Sequence, residues 1–183
     1  MPGIDPARTF LPLNIAVLTV SDSRTLENDK SGDLLVERLT AAGHRLADRA
    51  LVRDEPEAIA AALRQWIDDP AVDVVISTGG TGVTGRDVTP EALDLVIEKP
   101  IPGFGELFRM ISFQKIGSST VQSRAAAGVA KGTYLFALPG SPGACRDAWD
   151  EILEAQLDIR HRPCNFAELL PRLREHETAV TVS

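Results

Sequence analysis

The sequence predicts an α/β fold built on an open, doubly wound and mostly parallel sheet. Two observations carry this prediction. Near-continuous apolar, β-branched runs are separated by segments of helical period, and each of three such runs ends in a polar or glycine-rich turn. Runs of that kind suit strands covered on both faces. Strand and helix alternating along the chain imply right-handed crossovers.

The first expected strand is residues 15–20 (IAVLTV), closed by Ser21-Asp22-Ser23. A weaker one covers 46–52, a third covers 72–76 (VDVVI) and a fourth covers 133–138 (TYLFAL). The apolar stretch 125–138 is broken by Lys131 and Gly132, so it reads as a turn feeding that last strand. Helical spacing joins Ile59, Leu63, Trp66 and Ile67, then Phe104, Leu107, Phe108 and Ile111, then Trp149, Ile152, Leu153 and Leu157. Start signals agree: Asp54-Glu55-Pro56-Glu57 resembles a capping box, and Thr89-Pro90 and Ser141-Pro142 place proline at a first helical position. In doubly wound sheets ligands bind beyond the carboxyl ends of the strands, so the turns after Val20, Ile76 and Leu138 are where function belongs.

The 183 residues read as one domain, 1–183, with a loose arm at 1–12 and a polar tail at 172–183. Hydrophobic residues at 44% and charged residues at 25% exclude disordered and fibrous classes. A net charge of -7 with no Lys/Arg run argues against a nucleic-acid or membrane-surface partner. There is no secretory signal and no spanning segment, which implies a cytoplasmic protein. Cys145 and Cys164 lack metal-type spacing; a pair is open to them, but reduced thiols are the default in cytosol.

The most informative segment is Ser77-Thr78-Gly79-Gly80-Thr81-Gly82-Val83-Thr84-Gly85-Arg86-Asp87-Val88-Thr89-Pro90. Four glycines and three threonines before the helix signal give backbone amides room to converge on an anion, with hydroxyls as further partners. Gly80, Gly82 and Gly85 satisfy GxGxxG, but the helix signal comes several residues later and the loop follows a later strand, unlike a dinucleotide fingerprint. Walker A fails because Arg86-Asp87 follows Gly85. Asp87 either caps the next helix or holds a hard cation such as Mg²⁺ beside phosphates. Asp54 is open to an N-cap or a catalytic role, and Asp22, in the turn after the first strand, carries a similar capping alternative.

These stretches resemble a known family. TVSDS at 19–23, DKSGDLL at 29–35, VISTGGTGVTGRDVTPEAL at 75–93, PGFGELFRMISFQKIGSSTVQSRAAAGVA at 102–130 and FALPGSPGACRDAWDEIL at 136–153 are similar to the MoaB/MogA family of molybdenum cofactor biosynthesis. RHRPCNF at 160–166 resembles the MoaB branch in particular. The resemblance implies a three-layer α/β/α sandwich, the molybdopterin-binding fold. It also implies an enzyme that transfers AMP from ATP to the terminal phosphate of molybdopterin, releases pyrophosphate and uses Mg²⁺.

By motif, the family's two functional aspartates fall on Asp54 and Asp87, as catalytic and metal-holding residues. The ligand loop falls on Thr78, Gly79, Gly80, Thr81 and Gly82. Ser21, Asp22, Glu106, Ser123 and Ser141 are implied to line the pocket. The MoaB branch is less uniform in function, and some members lack the acidic residue that Asp54 supplies here. A homotrimer, or a hexamer built of two trimers, is the implied assembly, and the segment 103–116 is apolar enough for either a subunit contact or core. The residues suit the chemistry. A phosphate nucleophile is already charged and needs no Ser-His or Cys-His pair, so the work is positioning and neutralisation of charge. Arg86 and Arg124 are the basic residues inside the matched motifs, either as electropositive help or as solvated surface charge. Two other functions compete: a non-catalytic molybdopterin-binding protein, and a nicotinamide-dependent oxidoreductase. The latter needs an acidic residue ~20 positions past the loop, and Asp94 and Glu98 lie too near.

Overall fold

Four parallel strands form the body of the sheet, and the side chains of the three inner ones alternate between two cores. The structure, a computed structural model, describes residues 2–175. In chain order the strands are β1 (Gly3–Ile4), β2 (Asn14–Val20), β3 (Arg45–Val52), β4 (Val74–Thr78), β5 (Lys99–Pro100), β6 (Ala126–Ala130), β7 (Thr133–Leu138) and β8 (His161–Arg162). The main helices are α1 (Lys30–Ala41), α2 (Pro56–Ile67), α3 (Thr89–Asp94), α4 (Pro102–Ile116) and α5 (Pro142–Ala148). α5 runs on through a π-helical stretch, Trp149–Leu153, into Glu154–Gln156. The main sheet has the order β3-β2-β4-β7-β6-β5, with β3, β2, β4 and β7 parallel and β6 antiparallel to both its neighbours.

Ile15 and Val17 face a core shared with α1, α4 and α5, whereas Ala16, Leu18 and Val20 face a core shared with α2 and α3. This two-sided burial makes the expected α/β/α sandwich. The loop after β2 leads to α1 on one face, and the loop after the adjacent β4 leads to α3 on the other. The chain therefore reverses its winding between β2 and β4, which opens a crevice there.

Local signals account for most elements. α2 buries Ile59, Leu63, Trp66 and Ile67 at the predicted spacing, with Pro56 in its first turn. α5 starts at Ser141, whose hydroxyl accepts from Ala144 N at 3.2 Å. α4 buries Phe104, Phe108 and Ser112, while Leu107 of the expected stripe stays exposed. The break at 131–132 is a two-residue hairpin turn with Lys131 at φ 45° and Gly132 at φ 85°. Positive φ at both positions matches the twist of the flanking strands.

Several expectations need correction. Residues 126–130 are a strand, β6, not merely an approach to one. α1 was not anticipated: its start is fixed by Asp29, whose carboxylate accepts from Gly32 N at 3.0 Å. Of the arm expected to be loose at 1–12, the described residues, 2–12, are tied down. β1 pairs antiparallel with β8, Arg8 donates to Ile159 O at 2.7 Å, and the Arg160 guanidinium lies 5.0 Å from the Phe10 ring. The expected polar tail enters the described residues only as 172–175; 176–183 lie outside them. Cys145 is buried, Cys164 is exposed, and both are free thiols.

Candidate functional site

A cleft of about 540 Å³ opens at the carboxyl ends of β2, β4 and β7. Its floor is the start of the glycine loop. Gly79 and Gly80 adopt φ 106° and 65°, the left-handed region that side chains resist. A Cβ on Gly79 would also collide with the Val20 carbonyl. The loop is pinned from several sides. Gly79 N donates to Leu138 O at 3.0 Å, Thr89 N donates to Gly80 O at 2.9 Å, and Thr89 Oγ1 donates to Gly79 O at 2.7 Å. Thr89 opens α3 with Pro90 in its first turn, as the helix-start signal predicts, while its hydroxyl closes the loop instead of capping the helix.

Arg124 holds the second half of the loop. Its backbone N donates to Thr81 O at 2.9 Å, its Nε donates to Gly82 O at 2.6 Å, and its Nη2 donates to Asp87 O at 2.6 Å. Its Nη1 pairs with Glu91. Of the two readings open to Arg124, solvated charge is therefore set aside: it braces the loop.

Asp87 is half-buried, and its Oδ2 accepts from Thr84 N at 2.8 Å and Thr84 Oγ1 at 2.6 Å. The Thr84 hydroxyl bond, outweighing partial burial, holds this carboxyl below the usual range. Asp54 follows β3 and also lines the cleft. The N-cap position of α2 is Glu55, and no side chain caps that helix, so the capping role for Asp54 falls away. Burial, reinforced by the negative charge of Asp22, raises the Asp54 carboxyl above its ordinary value. Asp22 accepts from Asp54 N at 3.3 Å and is gripped by Arg86 at 2.8 and 2.9 Å. That grip lowers the Asp22 carboxyl. Arg86 also lies 3.7 Å from Glu55, so it straps the glycine loop to the turns after β2 and β3.

Of the residues singled out from sequence, Ser21, Asp54, Gly79, Gly80, Thr81, Gly82, Asp87, Ser123 and Ser141 come together on this cleft. Three do not. Thr78 is fully buried beneath it, donating to Pro139 O at 3.0 Å beside Cys145 Sγ. Asp22 stands outside the lining and acts on Asp54 from behind. Glu106 is exposed on α4 beside a separate hollow formed with Pro100, Pro102 and Arg109. Residues missed from sequence include Arg24, Ser112, Ser119, Thr120 and Gln122. The hydroxyl-rich run SSTVQS at 118–123 was the visible signal for Ser119, Thr120 and Gln122.

Mg²⁺ suits this donor set in kind. Among the described residues no three acidic, His or Cys side chains gather as a ready metal cage. Two hard carboxylates on one cleft match the way Mg²⁺ is held, by one or two carboxylates with substrate phosphates and waters completing the shell.

Residues 16–159 match the family described as a probable molybdopterin binding domain. The chain belongs to the MoaB/MogA family of molybdenum cofactor biosynthesis proteins. On the MoaB branch, it is 52% identical over 157 residues to molybdenum cofactor biosynthesis protein B of Escherichia coli K12, covering 86% of this chain and 92% of that one. It is 46% identical over 142 residues to the protein of the same name from Bacillus cereus, covering 77% and 84%. A crystal structure of a molybdenum cofactor biosynthesis protein B superposes with a TM-score of 0.83 at 40% identity, over 92% of this chain and 99% of the other. The tungsten cofactor synthesizing protein MoaB from Pyrococcus furiosus gives 0.70 at 31% identity, over 90% and 96%. The MoaB/MogA membership thus agrees with the layered fold and the motifs that suggested it.

Proposed function

We propose that this chain binds molybdopterin and transfers AMP to its terminal phosphate from ATP. A phosphate oxygen of the pterin attacks the α-phosphorus, the bond from that phosphorus to the β-bridging oxygen breaks, and pyrophosphate leaves. The nucleophile is already ionised, so no general base is needed and catalysis is positioning plus electrostatics. The observation that carries this reading is the placement of Asp54 and Asp87, from turns after two different strands, on one cleft beside the glycine loop.

In this reading the loop Gly79 to Gly82 cradles phosphate oxygens with the backbone amides of Gly80 and Thr81, while the Gly79 amide, given to Leu138 O, anchors the loop to β7. Ser21, Ser123 and Ser141 supply hydroxyl contacts, and the loop bracing by Arg124 and Thr89 keeps the amides fixed. Asp54 and Asp87 would hold Mg²⁺, which supplies neutralisation of phosphate charge when bound. The reading places the reaction in the cytoplasm and the chain in a homotrimer or hexamer.

The test is pyrophosphate release with both substrates present. Release requires molybdopterin, ATP and Mg²⁺ together, and Asp87→Asn, which keeps size and an acceptor for Thr84, lowers turnover by on the order of a hundredfold. Tight pterin binding without pyrophosphate release by the unaltered protein would instead support the non-catalytic binding function.

A further inference from the structure

Arg24 is the one cationic side chain lining the cleft among the described residues, and the sequence motifs had not singled it out. We infer that Arg24 forms a second, metal-independent anion site in the cleft, one that takes the terminal phosphate of a substrate. The inference deepens the reading above, since it takes the same cleft as the place where two phosphate-bearing molecules meet.

The geometry is that of a prepared group rather than a surface charge. Arg24 N donates to Ser21 Oγ at 3.2 Å, Nη2 donates to Gly140 O at 2.9 Å, and Nη1 donates to Ser31 Oγ at 3.2 Å. Ser31 Oγ itself donates to the same Gly140 carbonyl at 2.7 Å. Three of the five guanidinium N–H groups are left without a protein acceptor among the described residues.

Behind it lies Asp29, fully buried, which accepts from Thr19 Oγ1 at 2.5 Å and Arg49 Nη2 at 3.0 Å. Asp29 stands 3.7 Å from Arg24, so its charge is matched more closely by Arg49 than by Arg24. Arg24 therefore keeps attraction to spare for an anion, in a fixed orientation that costs little to hold.

The two ends of the cleft belong to different layers. Arg24, Ser31 and Gly140 sit with α1 and α5, on the face whose core holds Leu35 and Cys145. Asp54 and Asp87 lead into α2 and α3, on the face whose core holds Ile59 and Leu93. A phosphate at the carboxylates is repelled without a metal ion between them, whereas a phosphate at Arg24 is attracted without one. One cleft thus offers a metal-dependent end and a metal-free end, which suits the joining of two phosphates that would otherwise repel each other.

The test is a thermal-shift titration of the full chain with inorganic phosphate, in EDTA at constant ionic strength. Phosphate raises the melting temperature of the unaltered protein and of Asp87→Asn alike. Arg24→Ala needs roughly tenfold or more phosphate for the same shift, and Arg24→Lys falls between. Arg24→Gln serves in place of Arg24→Ala should the latter not fold. A shift in Arg24→Ala or Arg24→Gln equal to the unaltered protein's, or no shift in the unaltered protein, overturns the inference. This readout needs no AMP transfer, so it survives failure of the proposed activity. Where transfer is observed, the KM values of Arg24→Lys identify the source of the phosphate: a rise for molybdopterin assigns the pterin, a rise for ATP assigns the nucleotide, and no rise in either overturns the site.

Discussion

Asp54 and Asp87 carry the same functional group and are held in opposite electrostatic states. The Thr84 hydroxyl secures the charge of Asp87, while burial and the neighbouring Asp22 make the charge of Asp54 costly. The sign of the consequence can be worked out. The folded-state pKa of Asp54 lies above its unfolded value of 3.8, so the native state holds that proton more tightly. Well below pH 3.8 both states are protonated and the group is neutral in its effect. As pH rises through the interval between the two values the native state loses stability, and the loss is complete at neutral pH. Asp54→Asn removes this penalty. It should melt at or above the unaltered protein's temperature at pH 7 and level with it near pH 3, while abolishing most Mg²⁺-dependent pyrophosphate release. A lower melting temperature at pH 7 would mean that the carboxylate stabilises the fold and that its role is structural. The same burial explains why sequence could not separate these residues: both read as a carboxylate before a helix, and only the partners tell them apart.

At the level of elements, what the chain discloses depends on how local the signal is. The buried strands and α2 were legible because their periodicity is carried by contiguous residues, and α5 because Ser141-Pro142 opens it. α1 was not, because its buried apolar residues are only Leu35 and Leu39 and its start depends on a buried carboxylate paired with Arg49, 20 positions away. β5 and β6 were lost because Lys99–Pro100 is two residues long and Ala126–Ala130 is made of small residues. The glycine loop was legible in composition but not in mechanism, since Arg124 lies 42 positions from the Gly82 carbonyl it holds. Its contribution is predictable from its fork of donors. Arg124→Ala releases the Gly82 and Asp87 carbonyls and the Glu91 carboxylate together, and should lower kcat by roughly tenfold or more. Arg124→Lys should not rescue it, because one ammonium cannot span three acceptors held in that geometry. Steady-state kinetics beside amide hydrogen exchange over 80–88 checks both points, and faster exchange confined to that loop is the expected signature.

Over the whole molecule the conspicuous imbalance is on α4. One side of that helix carries Phe104, Phe108 and Ser112 into the core and cleft, while Leu107, Met110, Phe113 and Ile116 follow one another at three-residue intervals on the outside. Met110 and Phe113 are each 59% exposed, and Val121 in the short helix Gly117–Gln122 that follows is 78% exposed. Single exposed apolar residues need no explanation, but a contiguous stripe marks a contact surface. A chain of net charge -7 does not gain solubility from leaving such a stripe open. The proposed trimer or hexamer would bury it, and Ile116 connects it to the cleft, which it also lines. Phe113→Glu places a charge in that contact without touching the core. Sedimentation should then show a monomer in place of the assembly formed by the unaltered protein, with the far-ultraviolet spectrum unchanged. An assembly of undiminished size would move the subunit contact elsewhere and leave the outer side of α4 as a surface in search of another occupant.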